Sequence, residues 1–453
     1  MRVKILLALV ALVVLLAAIA LLADPARKEV ARLVAESTGG LLTIGVHGPV
    51  TLEFDDAMQR DSVESRFSLD PPVEGSFTWN GTNDRSVSFW PARALQPGQR
   101  YSVRLAARAR SQGGQEVAKA QTWQVAVRQA ELLYLSPSRA PELWRCSSDG
   151  RNCNRLTSTG GRVIDYSVSF DGNRIVYSLR NEEQGIDLWE INRQGGAAEI
   201  LLPCGTDWCS SPAYSPDGKF IAYSRRRVSG LPGRQPEAPR IWILERAAQT
   251  TTELLADPRI GGTRAAWSPD GRLLAFFDEI SGGVRVYNVA PRSDFLVPAV
   301  EGTAIEWSPD SAFLFYLQAG IKGETPYSSV YRLDVRTQEI SQVLGEDAAD
   351  YSVPAWSSDG EWAVVGQRLA GGSLTRQLWL VSLSAGQGER QAITDDVLFN
   401  HGGYQWEPGG SRLVYQRLEF GKSDSLPQVT VWNRQDGQTL LLAEDAFQPL
   451  WIP

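Results

Sequence analysis

Few residues in this chain have side chains suited to chemistry, and their spacing sorts most of them. There are four cysteines and two histidines. Cys146 and Cys153 lie symmetrically about Asp149-Gly150, a hairpin signal, which sets them opposite each other on neighbouring strands within disulfide reach. Cys204 and Cys209 enclose the short loop Gly205-Thr206-Asp207-Trp208. Two structural disulfides are expected, and with them an oxidising compartment. Metal binding is the rival chemistry, but neither pair has C-x2-C spacing and no histidine stands nearby. No metal or cofactor site is expected.

The remaining candidates are thinner. His401, in His401-Gly402-Gly403-Tyr404, opens a strand and is read as an ordinary polar residue or as a channel residue. His47 precedes another strand and is expected to be exposed. A histidine-dependent triad therefore has few candidates, and no G-x-S-x-G, H-E-x-x-H, P-loop or G-x-G-x-x-G motif occurs. Arg225-Arg226-Arg227 begins a basic stretch that continues through Arg234 to Arg240. It is either a solvated connection or a site for an anionic ligand or partner. The net charge of −7 gives no overall basic footprint for nucleic acid.

Aspartates recur at regular spacing, which first suggests paired carboxylates or ring ligands. They stand in Val168-Ser169-Phe170-Asp171-Gly172, Tyr214-Ser215-Pro216-Asp217-Gly218, Trp267-Ser268-Pro269-Asp270-Gly271, Trp307-Ser308-Pro309-Asp310-Ser311 and Trp356-Ser357-Ser358-Asp359-Gly360. A variant, Trp406-Glu407-Pro408-Gly409-Gly410, and a truncated Trp451-Ile452-Pro453 complete the series. Proline pre-sets the first turn position, Asp tolerates the second, and Gly takes the left-handed one. Asp217-Gly218, Asp270-Gly271 and Asp359-Gly360 are thus read as structural turn residues. Scattered carboxylates at one channel mouth remain an alternative that spacing alone leaves open.

The elements that must carry these turns follow from the flanking residues. Each turn leads into an apolar run such as Phe220-Ile221-Ala222-Tyr223 or Leu413-Val414-Tyr415, which suits strands buried on both faces. Two further strands follow in each unit, and the opening residues recur every 40 to 53 positions. Four strands at that period describe propeller blades. Leu132 to Leu156 supplies three strands without an opening one, and Phe447 to Trp451 supplies an opening strand without its blade. Joining them gives an all-β, seven-bladed β-propeller over residues 130–453, closed by the C-terminal strand.

Ahead of the ring, residues 41–128 alternate as short half-buried strands separated by Pro71-Pro72, Asn80-Gly81 and Gln96-Pro97-Gly98, a small β-sandwich. Residues 25–40 read as a partly helical stalk. Ile5 to Ala23 carries no charge over 19 residues. At about 1.5 Å per residue that run nearly crosses a ~30 Å hydrocarbon core. Residues 1–24 are expected as a transmembrane anchor with a cytoplasmic N-terminus, or as a cleaved signal peptide.

Two resemblances sit on these residues. Val50-Thr51-Leu52-Glu53-Phe54-Asp55, Val87-Ser88-Phe89-Trp90-Pro91 and Leu95-Gln96-Pro97-Gly98 resemble bacterial Ig-like domains, which implies a spacer or adhesion module. Tyr214 to Tyr223 and Trp267 to Phe276 resemble the WD40-like repeats of the TolB propeller family, which implies a propeller that binds protein partners. Similar propellers precede the hydrolase domain of prolyl oligopeptidase-like enzymes. With the chain ending at Pro453, no such domain is expected. The expectation is a membrane-anchored, extracytoplasmic binding or scaffold protein for an unidentified protein or envelope polymer. The alternative is a hydrolase or lyase acting on glycan or peptide at the propeller channel.

Overall fold

A computed structural model describes residues 31–38, 41–229, 235–300, 305–322, 325–345, 349–357, 360–369, 374–382 and 390–453. The expected anchor, residues 1–24, lies outside them. Among the described residues no helix is long and apolar enough to cross a membrane. The single-pass membrane placement is corrected on that finding: nothing described supplies a spanning element, and the described chain is built almost wholly of short strands.

Two compact units divide the chain. The first takes in Pro49–Trp90 and Tyr101–Val125 together with the strands that precede them. One of its sheets runs Ala31–Val34, Val50–Phe54, Ser86–Pro91, Gly75–Trp79. The other runs Glu36–Thr38, Leu41–Ile44, Gln121–Val127, Arg100–Leu105, Phe67–Asp70. Leu52, Val63, Val87, Val103, Leu105 and Val125 are buried in its core. The stalk expectation fails here. Ala31 and Leu33 are buried while Arg32 and Val34 are exposed, a period of two that makes a strand rather than a helix. That strand pairs antiparallel with Val50–Phe54, with Leu33 opposite Leu52.

Most of the second unit, Ala126–Pro453, is antiparallel sheet of propeller type: three sheets of four strands, and an eight-stranded and a nine-stranded sheet in each of which a single parallel pair, Ile186 with Trp208 and Ser328 with Asp350, joins successive meanders. In one of them Phe399–Trp406, Arg412–Glu419, Gln428–Asn433 and Thr439–Glu444 pair in chain order. Another is composite. The C-terminal strand Phe447–Ile452 pairs with Glu131–Ser136, placing Trp451 opposite Leu132, and Glu142–Ser147 and Cys153–Arg155 follow outward. Core clusters form between successive sheets rather than inside one. Trp451, Leu132 and Tyr134 pack with Val414, Val429 and Val431, and Trp406 and Leu413 pack with Ala355, Val364 and Leu378.

In most repeats the opening aromatic also makes a directional bond. The indole N–H groups of Trp267, Trp307, Trp406 and Trp451 donate to the carbonyls of Ala213, Ala266, Ala355 and Gln405 at 3.0–3.2 Å. Each acceptor immediately precedes the opening aromatic of the sheet before. The bond satisfies a buried indole donor and fixes the step from one sheet to the next. Tyr214 solves the same step differently, its hydroxyl donating to buried Glu190 at 2.6 Å, where Arg174 and Arg246 also pair.

Candidate functional site

The aspartates of the repeat are turn-formers. Ser215 Oγ donates to Asp217 Oδ1 at 2.7 Å, the same oxygen accepts from the Lys219 N–H, and the Gly218 N–H closes the turn on the Ser215 carbonyl. Gly218 stands at φ +67° and Gly271 at φ +71°, the left-handed conformation that glycine adopts without cost. Asp171, Asp270 and Asp310 repeat the arrangement. Burial works against the charged form of Asp270, yet the Arg272 N–H and the Ser268 hydroxyl hold its carboxyl below the usual range. Asp359 lies outside the described residues; Gly360 is at φ +73° and donates to the Ser357 carbonyl. In the variant copy Glu407 replaces serine and pairs with Arg412.

The other anticipated residues are also committed to structure. Cys146–Cys153 and Cys204–Cys209 are disulfides, the first spanning directly opposed strand positions. The second closes a loop carrying Asp207, which pairs with Arg225 at 2.8 Å and accepts the Val228 N–H. Arg225 also lies over the Trp242 ring, and Arg226 reaches Glu279 at 3.4 Å. Arg227 is exposed. The basic run is therefore largely neutralised by its own neighbours. His401 is buried, its Nδ1 3.1 Å from the Arg376 carbonyl and its ring against Tyr415, and burial lowers its pKa. His47 is half-buried rather than exposed. Its ring stacks on Phe170 at 4.4 Å, and burial lowers its pKa to about 4.

What remains unassigned lies on the innermost strands, which line a propeller's central channel. Ser211, Arg264, Gly403 and Gln448 each stand three residues before an opening aromatic, and all have φ between 51° and 54°. Each falls at a bulge where two residues oppose one, a device that re-aims side chains. At or next to the corresponding places stand Asp165, Tyr166 and Tyr404, all half-buried. Asp165 accepts from the Ser178 hydroxyl and from the Ser211 N–H at 2.9 Å, and burial raises its pKa against those bonds. The Tyr166 hydroxyl donates to the Gln448 carbonyl. Tyr404 donates to the Val353 carbonyl at 2.6 Å and lies 2.7 Å from Ser352 Oγ, with burial pushing its pKa to about 12.

Glu306 is the outlier of this set. It occupies the position before the opening aromatic that holds Ala213, Ala266 and Ala355 elsewhere. The side chain is half-buried, and desolvation pushes its carboxyl up to about 8, so it carries its proton at neutral pH. The next indole, Trp356, packs edge-on against Phe315, the cross-strand neighbour of Glu306, at 4.8 Å. Its Nε1 is buried and meets no acceptor. The step that four other indoles close is left open here. A carboxylic acid held neutral beside a channel can donate a proton or a hydrogen bond. Sequence reading missed it, although a charged residue at a repeat position that holds Ala213, Ala266, Ala355, Gln405 and Leu450 in other copies was a usable signal. Among the described residues, no three His, Cys, Asp or Glu side chains group in a way that would hold a metal ion.

Comparison with known proteins places the two units. A family model described as a bacterial Ig-like domain matches residues 36–125. Over 215 residues the chain is 24% identical to "Uncharacterized peptidase YuxL" of Bacillus subtilis (strain 168), which takes in 46% of this chain. The chain spans 30% of the length of that relative. A puromycin-hydrolysing peptidase of Mycobacterium tuberculosis is similar in fold at 12% identity and TM-score 0.52, over 79% of this chain and 53% of its own. A prolyl endopeptidase structure is similar at 13% identity and TM-score 0.51, over 86% and 52%. TolB of Acinetobacter baumannii matches at 17% identity and TM-score 0.42, over 69% and 79%. The chain carries a bacterial Ig-like domain followed by a β-propeller, with TolB and peptidase propellers among its structural neighbours.

Proposed function

We propose that this protein is a hydrolase-type protein acting on a peptide chain admitted to the channel of a seven-bladed propeller, with Glu306 as its proton donor. The blade number is supported by the pairing of Trp451 with Leu132, which joins the two ends of the propeller segment in one sheet. The observation that carries the functional reading is Glu306 itself. It is a carboxyl that burial keeps protonated at neutral pH, on an innermost strand, at the one described step where the indole donor is unpaired. In that role it passes its proton to the leaving nitrogen, and the carboxylate so formed takes the proton released by the water that adds to the carbonyl, which restores the acid as the C–N bond breaks. Likeness to peptidases in fold, and to YuxL in sequence, favours a peptide over a glycan. The chain covers only part of those proteins, so their activities come here as a proposal.

The scaffold reading gives way because the basic run and His401, its candidate contact residues, are engaged within the fold. The test is turnover of a fluorogenic peptide and oligosaccharide panel by the purified chain between pH 5 and pH 10. Cleavage of peptides that declines as pH rises through about 8 is expected, since Glu306 then loses its proton. No turnover anywhere on the panel would sink the reading.

A further inference from the structure

Glycine follows aspartate or asparagine at seven places in the chain, and the fold treats one of them differently. Six are Asp-Gly pairs, from Asp149-Gly150 to Asp436-Gly437. In every one of these the glycine N–H is engaged, bonded at 2.8–2.9 Å to the carbonyl of Ser147, Ser169, Ser215, Ser268, Ser357 or Asn433. Asn80-Gly81 is the seventh. Asn80, Gly81, Thr82 and Asn83 are all exposed. Neither the Gly81 N–H nor the Asn80 Oδ1 enters a hydrogen bond among the described residues. A Cβ on Gly81, which stands at φ +75°, would meet only Asn83 Oδ1, at 3.8 Å. The amide nitrogen of Asn80, by contrast, is held: Nδ2 donates to Ser86 Oγ at 3.1 Å and to Ser88 Oγ at 2.8 Å. Ser88 is buried and its hydroxyl lies 2.8 Å from Thr51 Oγ1. The Asn80 amide thereby ties the end of Gly75–Trp79, an edge strand, to Ser86–Pro91 and through it to Val50–Phe54.

We propose that Asn80 is a spontaneous modification site, converted in the folded chain to aspartate and isoaspartate through a cyclic imide with Gly81. The Gly81 nitrogen gives its proton to hydroxide and attacks Asn80 Cγ. The Cγ–Nδ2 bond then breaks, and the nitrogen takes a proton from water and leaves as ammonia, which returns the hydroxide. Nothing is oxidised or reduced. Glycine presents no Cβ to hinder the attacking nitrogen, and no bond within the chain has to be broken to free its N–H. A serine hydroxyl both accepts and donates, so Ser86 and Ser88 can stay with Nδ2 as it becomes an amine. Water opens the ring at Cγ to give aspartate, or at the Asn80 main-chain carbonyl carbon to give isoaspartate. Either product exchanges two N–H donors for a carboxylate, which only accepts. Isoaspartate also adds one carbon to the connection that closes on the bond from the Asn80 N–H to the Ser86 carbonyl, now 2.9 Å. The edge strand Gly75–Trp79 is the element that loses its tie.

The purified full chain is aged at pH 8 in buffer and in urea, and its tryptic peptides are mapped by mass spectrometry over time. The peptide 67–85 carries Asn80. It should gain about 1 Da as the amide becomes a carboxyl, with fragmentation placing the change at Asn80 and showing isoaspartate there. Rates at Asn80 in buffer and in urea should agree within a few-fold, whereas isoaspartate at the six Asp-Gly pairs should form at least tenfold more slowly in buffer. The Asn80 rate should climb with pH, because the attacking amide is an anion. Gly81→Ala should slow it at least tenfold. A side chain at φ +75° is strained, so Asn80→Gln, whose ring would be one atom larger, serves as a second blocked variant. Hydrogen exchange should be faster over Gly75–Trp79 in the aged chain than in the fresh one, and unchanged on ageing in Asn80→Gln. An Asn80 that reacts in urea and stays intact in buffer overturns the proposal, since the fold would then protect it. So does conversion that appears first at Asn83 or at an Asp-Gly pair, or that continues at the wild-type rate in Gly81→Ala. Equal exchange in fresh and aged chains would overturn the role of the amide as a tie.

Discussion

The step from the sheet of Trp356 to that of Trp406 and the step from Glu306 to Trp356 use the same repeat and end differently. In the first, the Trp406 indole closes on the Ala355 carbonyl at 3.1 Å. In the second, Trp356 has no acceptor, and the position equivalent to Ala355 is taken by a carboxyl raised to about 8. A repeat that satisfies its own polar groups builds scaffold. A departure that leaves one donor unpaired and half-buries an acid is destabilising locally, and it is where the proposed site lies.

Breaking the closed step has the largest expected effect. Trp406→Ala removes a buried indole and should cost about 3–5 kcal/mol in urea unfolding, read as a lower midpoint at unchanged slope. Next comes the pH dependence at the open step. The folded carboxyl of Glu306 is raised above its ordinary value, so the unfolded state releases its proton first. Stability should therefore fall as pH rises from about 4.5 to about 8, by up to about 1.4 kcal/mol per pH unit. Glu306→Gln should flatten that slope in chemical denaturation at a series of pH values; an unchanged slope would show that the burial of the acid is not felt.

A smaller contrast sharpens the comparison itself. Trp406→Phe orphans the Ala355 carbonyl and should cost about 1–2 kcal/mol beyond the lost ring area. Trp356→Phe removes a donor already unpaired and should cost less than Trp406→Phe, so equal losses would erase the distinction between the two steps. Smallest is Asp270→Ala, which deletes one turn carboxylate and should cost about 1 kcal/mol with no effect on turnover, since that carboxylate bonds only to Ser268 and Arg272 of its own turn.

Much of the scaffold was legible because each repeated residue performs a local task. Proline, aspartate and glycine fix a turn, and the same geometry recurs without proline at Ser147 to Gly150, where Ser147 Oγ donates to Asp149. The likeness of Pro449-Leu450-Trp451 to Pro354-Ala355-Trp356 anticipated a strand of the kind that pairs with Leu132. The cysteine pairs were legible for the same local reason. The site was not. Arg225 and His401 looked available because their partners, Asp207 and the Arg376 carbonyl, stand 18 and 25 positions away and on other elements. Glu306 looked like an ordinary surface acid because burial arises only when neighbouring sheets assemble around it. The strand at Ala31–Val34 was misread because a four-residue period of two is too short to stand out beside helix-forming neighbours.

The central claim is that the open step is the working part of the molecule, and turnover by Glu306→Gln tests it most directly. Measured on the best peptide of the panel at pH 7, the variant should keep the wild-type fold by circular dichroism and lose about 10²–10⁴-fold in kcat, the range for removing a general acid. Wild-type turnover by a folded Glu306→Gln protein would contradict it.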